Sequence, residues 1–401
     1  MSSQLASRLD VPYGTRPSSP RPERPIVPAL DGLRACAILL VLLTDLWTYP
    51  SGHTTLNLIA ATGWSGVDLF FVLSGFLITG ILWDTRDDGR YYRNFLARRA
   101  LRIVPLYYLV LFVAFVALPL REATPELLRA REDWWLYATF LGNIPLAAGR
   151  GGQLFLIDIL WSVSVEVQFY LIWPWVVRKL TAPRLVTLCA TLLVATLLLR
   201  TVARVALDVD TRWLYMLPIY RADAFAAGAL VAMLTRTQLV HPATLRRIAL
   251  GLVAVLVPVI VTLVLRDRFH RFSVLADTVG YSLLALLAAA AVVLALEPGR
   301  VSRALLTTRP MRHIGQVSYG LYLYHLLGLM IGGMLLARVT GLSFDAEAGL
   351  APAVLQLVVI SLGTLVVAGL SHRVVEQPIL RLKRHFAPSQ DEPALAIQPV
   401  A

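Results

Sequence analysis

Ionisable side chains stand inside runs that are otherwise apolar enough for lipid, and their spacing suggests chemistry. The stretch WSVSVEVQFYLIWP (161–174) places Ser162, Glu166 and Tyr170 at successive intervals of four, one polar stripe on a helix. A carboxylate in mid-span handles a proton, contacts a substrate or pairs with a cation. LDGLRACAILLVLLTDLW (30–47) carries Arg34 and Asp45, eleven residues apart. On a helix they share nearly one face, about 16 Å apart along the axis. Snorkelling toward the membrane border is the bland account of Arg34, and pairing with an arginine of another span that of Asp45. In YYRNFLARRALRIVPLYYL (91–109), Arg93, Arg98, Arg99 and Arg102 suit a phosphate-rich ligand gripped by guanidinium forks. They suit an ordinary basic membrane border equally well. LYMLPIYRADAFAAGAL (214–230) holds Arg221 and Asp223, two apart, so they face differently on a helix and cannot simply neutralise each other. VSYGLYLYHLLGL (317–329) puts Ser318, Tyr322 and His325 on a further stripe, where a lone histidine also serves as a hydrogen-bonded structural residue.

These residues need helices to position them. At 401 residues, 57% hydrophobic and 15% charged, the chain is too apolar for a soluble protein with one or two cores. The expected class is an all-α membrane protein, a polytopic bundle of about ten transmembrane helices. Spans are expected near 27–49, 63–84, 101–120, 153–177, 185–203, 213–235, 248–265, 273–296, 314–337 and 352–372. The run 134–148 is short and broken by Pro145, which reads as an interfacial or re-entrant segment. With both termini cytoplasmic, 24 of the 37 lysines and arginines fall on the inner side and ten outside, as the positive-inside rule asks. Against that distribution, the net charge of +12 describes a membrane border and implies no nucleic-acid partner. Residues 1–26 and 386–401 read as disordered cytoplasmic tails around one membrane domain, 27–385. The first apolar run is too long for the core of a signal peptide and lacks a small-residue cleavage site. Cys36 and Cys189 lie in apolar runs at no metal-ligand or redox spacing and read as small fillers. The expected location is the inner (plasma) membrane.

Seven stretches in chain order carry a resemblance: LDGLR, GVDLFFVLSGFLIT, RRALRIVPLYY, WSVSVEVQFYLIWP, RADAFAAGALVA, SYGLYLYH and VVEQPILRL. Each is weak alone. Together they resemble the acyltransferase-3 family of integral-membrane O-acyltransferases. The resemblance implies transfer of an acyl group, often acetyl, from cytoplasmic acyl-CoA to a hydroxyl of a sugar, cell-envelope glycan, lipid or secondary metabolite. Acyl-CoA would be a co-substrate, with no permanently bound cofactor or metal. The family's RxxR pair, linked to CoA phosphates, matches Arg99 and Arg102, with Arg98 beside them. Its first-span arginine matches Arg34 and its mid-membrane glutamate matches Glu166. Ser162, Tyr170, Arg221, Asp223, Tyr322 and His325 are expected around the substrate. Some members carry a further soluble hydrolase-like domain at the C-terminus, for which the residues after 385 are too few.

One departure stands out. The family expects histidine eleven residues after the first-span arginine, as the general base that takes the acceptor hydroxyl's proton. Here that position is Asp45. A carboxylate, with an ordinary pKa of about 3.9, is the weaker base. Three readings follow: Asp45 is the working base, His325 or Glu166 has taken the role, or catalysis is lost and the chain binds or passes a donor or glycolipid. A proton-coupled transporter would also use buried Asp, Glu and Arg but gains nothing from the arginine cluster. Catalysis at Asp45 predicts that Arg34, Asp45, Glu166, Arg99 and Arg102 converge on one cavity.

Overall fold

The computed structural model describes residues 27–120, 131–150 and 155–386; both expected tails lie outside these, apart from Phe386. Ten long helices run at the ten expected places: α1 Pro28–Leu46, α2 Ser65–Asp84, α3 Tyr91–Phe112, α4 Leu160–Lys179, α5 Ala182–Val205, α6 Ala222–Thr237, α7 Pro242–Leu265, α8 Tyr281–Leu296, α9 Ser318–Thr340 and α10 Leu350–Ser371. No strand occurs among the described residues. Among the described residues, eight helical stretches are long and apolar enough to cross a bilayer. The two others are α1, 19 residues with Asp31, Arg34 and Asp45, and α6, only 16 residues.

Four boundaries differ from expectation in ways that bear on the site. The sixth span breaks into Thr211–Met216, a 3₁₀ turn Pro218–Tyr220 and then α6. Pro218 offers no amide hydrogen, and the residue before it, Leu217, is extended. The basic junction at 91–100 is no loop but the opening turns of α3, which sets Arg99 and Arg102 one turn apart on one face. The fourth span starts later, at Leu160, after a short turn Phe155–Asp158. The tenth runs on through 372–386 without a break, 37 residues in all. At 1.5 Å per residue that is about 56 Å, well beyond a hydrocarbon core of about 30 Å, so its last turns project past the membrane beside α3. The run 134–148 forms two short helices, Trp134–Ala138 and Asn143–Ala147, rather than a span.

Helices α2 and α6 pack backbone to backbone, because a Cβ on Gly75 would lie 2.1 Å from the Phe225 carbonyl oxygen and one on Gly228 only 1.9 Å from that of Val72. That closeness lets charges on the two helices find partners. Arg221 and Asp223 do face differently, and each is neutralised elsewhere. Arg221 pairs with Asp68 of α2, and Asp223 pairs with Arg200 of α5 at 2.9 Å. All four side chains are buried. Arg200 also donates to Ser282 Oγ of α8 at 2.7 Å and to the Tyr220 carbonyl at 2.7 Å. The Arg221 guanidinium is further enclosed by the rings of Tyr281 and Tyr215. Removing one member of such a pair strands a charge, at a cost of about 3–5 kcal/mol. Asp223→Ala should therefore lower the unfolding temperature in detergent sharply, and pairing it with Arg200→Leu should restore part of the loss.

Candidate active site

A cavity of about 130 Å³ opens among α1, α2, α3, α4 and α9. Its mouth carries three guanidinium groups, those of Arg34, Arg99 and Arg102. All three lie near the end of the bundle where α1 begins. Arg34 is tethered by Asp31 one turn earlier, at 3.2 Å. Arg102 is anchored to Glu376 at 3.2 Å and to the Gln316 carbonyl at 3.3 Å. Arg99 is set against the rings of Phe95 and Tyr170 and has no carboxylate partner among the described residues. Lys383, on the projecting end of the tenth helix, lies within electrostatic reach of Arg98, Arg99 and Arg102. The mouth thus holds more positive charge than its own carboxylates cancel, which suits a multiply charged anion.

Deeper in, the stripe on α4 forms the polar wall. Glu166 accepts hydrogen bonds from Ser74 of α2 and from Tyr170, one turn along its own helix. Beyond it, Ser162 Oγ and Tyr322 Oη are 2.7 Å apart, and Tyr322 also donates to the Ile159 carbonyl at 3.0 Å. Phe70, Phe71 and Val67 supply apolar lining. Such a cavity offers an anion-binding entrance, a hydrogen-bonded carboxylate midway and, beyond it, the Ser162–Tyr322 hydroxyl pair among apolar side chains.

The expected convergence is therefore incomplete. Arg34, Arg99, Arg102, Glu166, Ser162, Tyr170 and Tyr322 line one cavity. Asp45 does not, because the pitch that puts it on the face of Arg34 also carries it to the far end of α1. Neither does it meet Arg34 or Arg221. Its Oδ2 stands 3.1 Å from Nε2 of His325, which is wholly buried on α9 and likewise off the cavity lining. Arg221 and Asp223 are absent from the lining, held in their ion pairs instead, and Arg98, exposed on α3, does not line it either.

Some residues of this region had no role assigned from sequence. Ser74 and Asp68 both lie within GVDLFFVLSGFLIT, where only a known partner helix would single them out. Glu376 sits in VVEQPILRL, and nothing in its local sequence points to Arg102, 274 positions away. Tyr170→Phe removes one of the two hydroxyls that solvate Glu166. A loss of about 1–3 kcal/mol is expected, read as a lower unfolding temperature in detergent.

A family model described as an acyltransferase domain matches residues 27–373. The chain is 29% identical to YrhL of Bacillus subtilis strain 168, named as a candidate peptidoglycan O-acetyltransferase, over 88% of this chain and 55% of that protein. It is 26% identical to the peptidoglycan O-acetyltransferase OatA of Listeria monocytogenes, over 90% of this chain and 56% of that protein. A shorter match, 30% identical over 37% of this chain and 24% of the relative, is to an O-acetyltransferase candidate of Staphylococcus aureus strain COL. The chain thus spans little more than half the length of the first two relatives. No solved structure matches. With the family match covering nearly the whole membrane domain, the chain belongs to the acyltransferase-3 family.

Proposed function

We propose that this chain is an integral-membrane O-acyltransferase that moves an acetyl group from acetyl-CoA to a hydroxyl of a cell-envelope glycan. The observation that carries the proposal is the arrangement of Arg34, Arg99 and Arg102 at the mouth of a cavity whose wall bears Glu166. The donor's phosphates bind the guanidinium groups and its thioester enters the cavity. The cavity, about 130 Å³, has room for an acetyl thioester. The arginine end faces the cytoplasm, where acyl-CoA is made, in keeping with the lysine and arginine distribution. The printed names of the two longer relatives support a glycan acceptor such as peptidoglycan.

A second reading rests on Asp45 itself. Without the histidine at that position, the chain would bind or pass an acyl donor or glycolipid and transfer nothing. Purified protein with radiolabelled acetyl-CoA and glycan fragments separates the two. Under the enzyme reading, label reaches the acceptor, and Arg99→Ala raises KM for acetyl-CoA about 10- to 100-fold, the worth of one charge-assisted contact. Inert protein that gains activity on Asp45→His would establish the binding reading instead.

A further inference from the structure

Ser162 Oγ, Tyr322 Oη and the Ser162 amide all reach one acceptor, the Ile159 carbonyl oxygen, at 3.1, 3.0 and 3.4 Å. A carbonyl oxygen has two lone pairs, so this acceptor is oversubscribed. The two hydroxyl oxygens are also 2.7 Å apart. Hydroxyl hydrogens turn about their C–O bonds, so Tyr322 can donate to Ser162 Oγ while the amide keeps the Ile159 carbonyl supplied. The Ser162 hydrogen is then free to leave the pair, and Ser162 lines the cavity.

The other hydroxyls of the lining are engaged or nearer the mouth. Ser74 and Tyr170 donate to Glu166, and Tyr319 donates to the Ile103 carbonyl at 2.9 Å. Ser318 lies one turn back on α9, toward Gln316, whose carbonyl holds Arg102 at the mouth. Tyr170, against which Arg99 is set, and Ser162 are eight residues apart on α4, about 12 Å. A donor whose phosphates rest on the arginines extends its acyl group inward, past Glu166, toward Val67, Phe70 and Phe71. A carbonyl oxygen among those side chains has given up water and needs a donor in return. Glu166 already accepts two hydrogen bonds and supplies none.

Building on the acyl-transfer reading, we infer that Ser162 holds the thioester carbonyl oxygen by a hydrogen bond, and that Tyr322, donating to Ser162 from behind, sets its hydroxyl in that direction. Addition of the acceptor oxygen to the thioester carbon moves the C=O π pair onto the carbonyl oxygen. The Ser162 hydrogen bond strengthens as that charge grows, and the Tyr322 hydroxyl behind it polarises in the same sense. Opening of the C–S bond restores the carbonyl and leaves the bonding pair on sulfur, where the acceptor's proton ends. Ser162 and Tyr322 keep their own protons throughout. Ser162 is thus a catalytic residue and Tyr322 a positioning one.

The test uses full-length protein in detergent and acetyl-CoA labelled with ¹³C at the acetyl carbonyl. Ser162→Ala should lower kcat about 10²- to 10³-fold, as for the loss of one such donor. KM for acetyl-CoA should stay within about threefold, because the arginines still hold the phosphates. Ser162→Thr keeps a hydroxyl and should recover most of the loss, while Tyr322→Phe should lower kcat only about 10-fold. An infrared readout is independent of turnover. A hydrogen bond weakens the C=O bond, so the labelled band of bound donor should lie at higher wavenumber in Ser162→Ala than in wild type. Tyr322→Phe should move it the same way, by less. A band identical in wild type and both variants overturns the contact even where kcat falls, and a kcat unchanged by Ser162→Ala overturns the catalytic role. Either result leaves acyl transfer standing. Wild-type protein that binds the donor and transfers nothing overturns acyl transfer instead, and the band still decides the contact. Wild-type protein that shows no bound-donor band overturns both.

Discussion

A charge taken out of water into a bilayer must find its counter-charge within the protein, and that constraint organises this fold. Arg200 and Arg221 are wholly buried, and each is answered by a carboxylate on a different helix. Their partners, Asp223 and Asp68, lie on α6 and α2, which the glycines at 75 and 228 bring into backbone contact. Four helices, α2, α5, α6 and α8, are thereby held in one relation. Lipid supplies no hydrophobic preference for one helix face over another, so paired charges and small residues do the selecting.

The cavity depends on that frame. Helix α2 carries Asp68 toward the ion pairs and Ser74, under two turns further on, toward Glu166. The same helix thus serves a structural network on one side and a candidate active site on the other. Phe71 lies between them, within 5.8 Å of the Arg221 guanidinium while also lining the cavity. A wall of aromatic rings keeps the buried arginine apart from the arginines at the mouth, so the two groups of cations do different work. The inner one is neutralised by buried carboxylates. The outer one has positive charge to spare for a ligand.

Asp45 acquires its meaning from a residue 280 positions away. Alone, an aspartate in a histidine's place reads as a lesion. Facing an imidazole whose other nitrogen is already committed to a carbonyl, it is half of a hydrogen-bonded pair. Tyr322 ties the two ends of the site together, its hydroxyl in the cavity beside Ser162 and its carbonyl on His325.

The sequence by itself determined the class, the helices and most of the charged and polar lining of the cavity. Hydropathy and charge borders are properties of contiguous residues, and so is the four-residue spacing of Ser162, Glu166 and Tyr170, which a helix turns into a stripe wherever it packs. The clustering of Arg99 and Arg102 was legible for the same reason. What only the tertiary structure decided was pairing. Arg221 and Asp223 are neighbours in sequence yet answer to Asp68 and Arg200, and Arg102 answers to Glu376 at the far end of the chain. Arg34 and Asp45 share a helix face but not a site, since three turns of rise separate what the angular period aligns. Periodicity is local to one helix, whereas the partner of a buried charge is fixed by which helices touch.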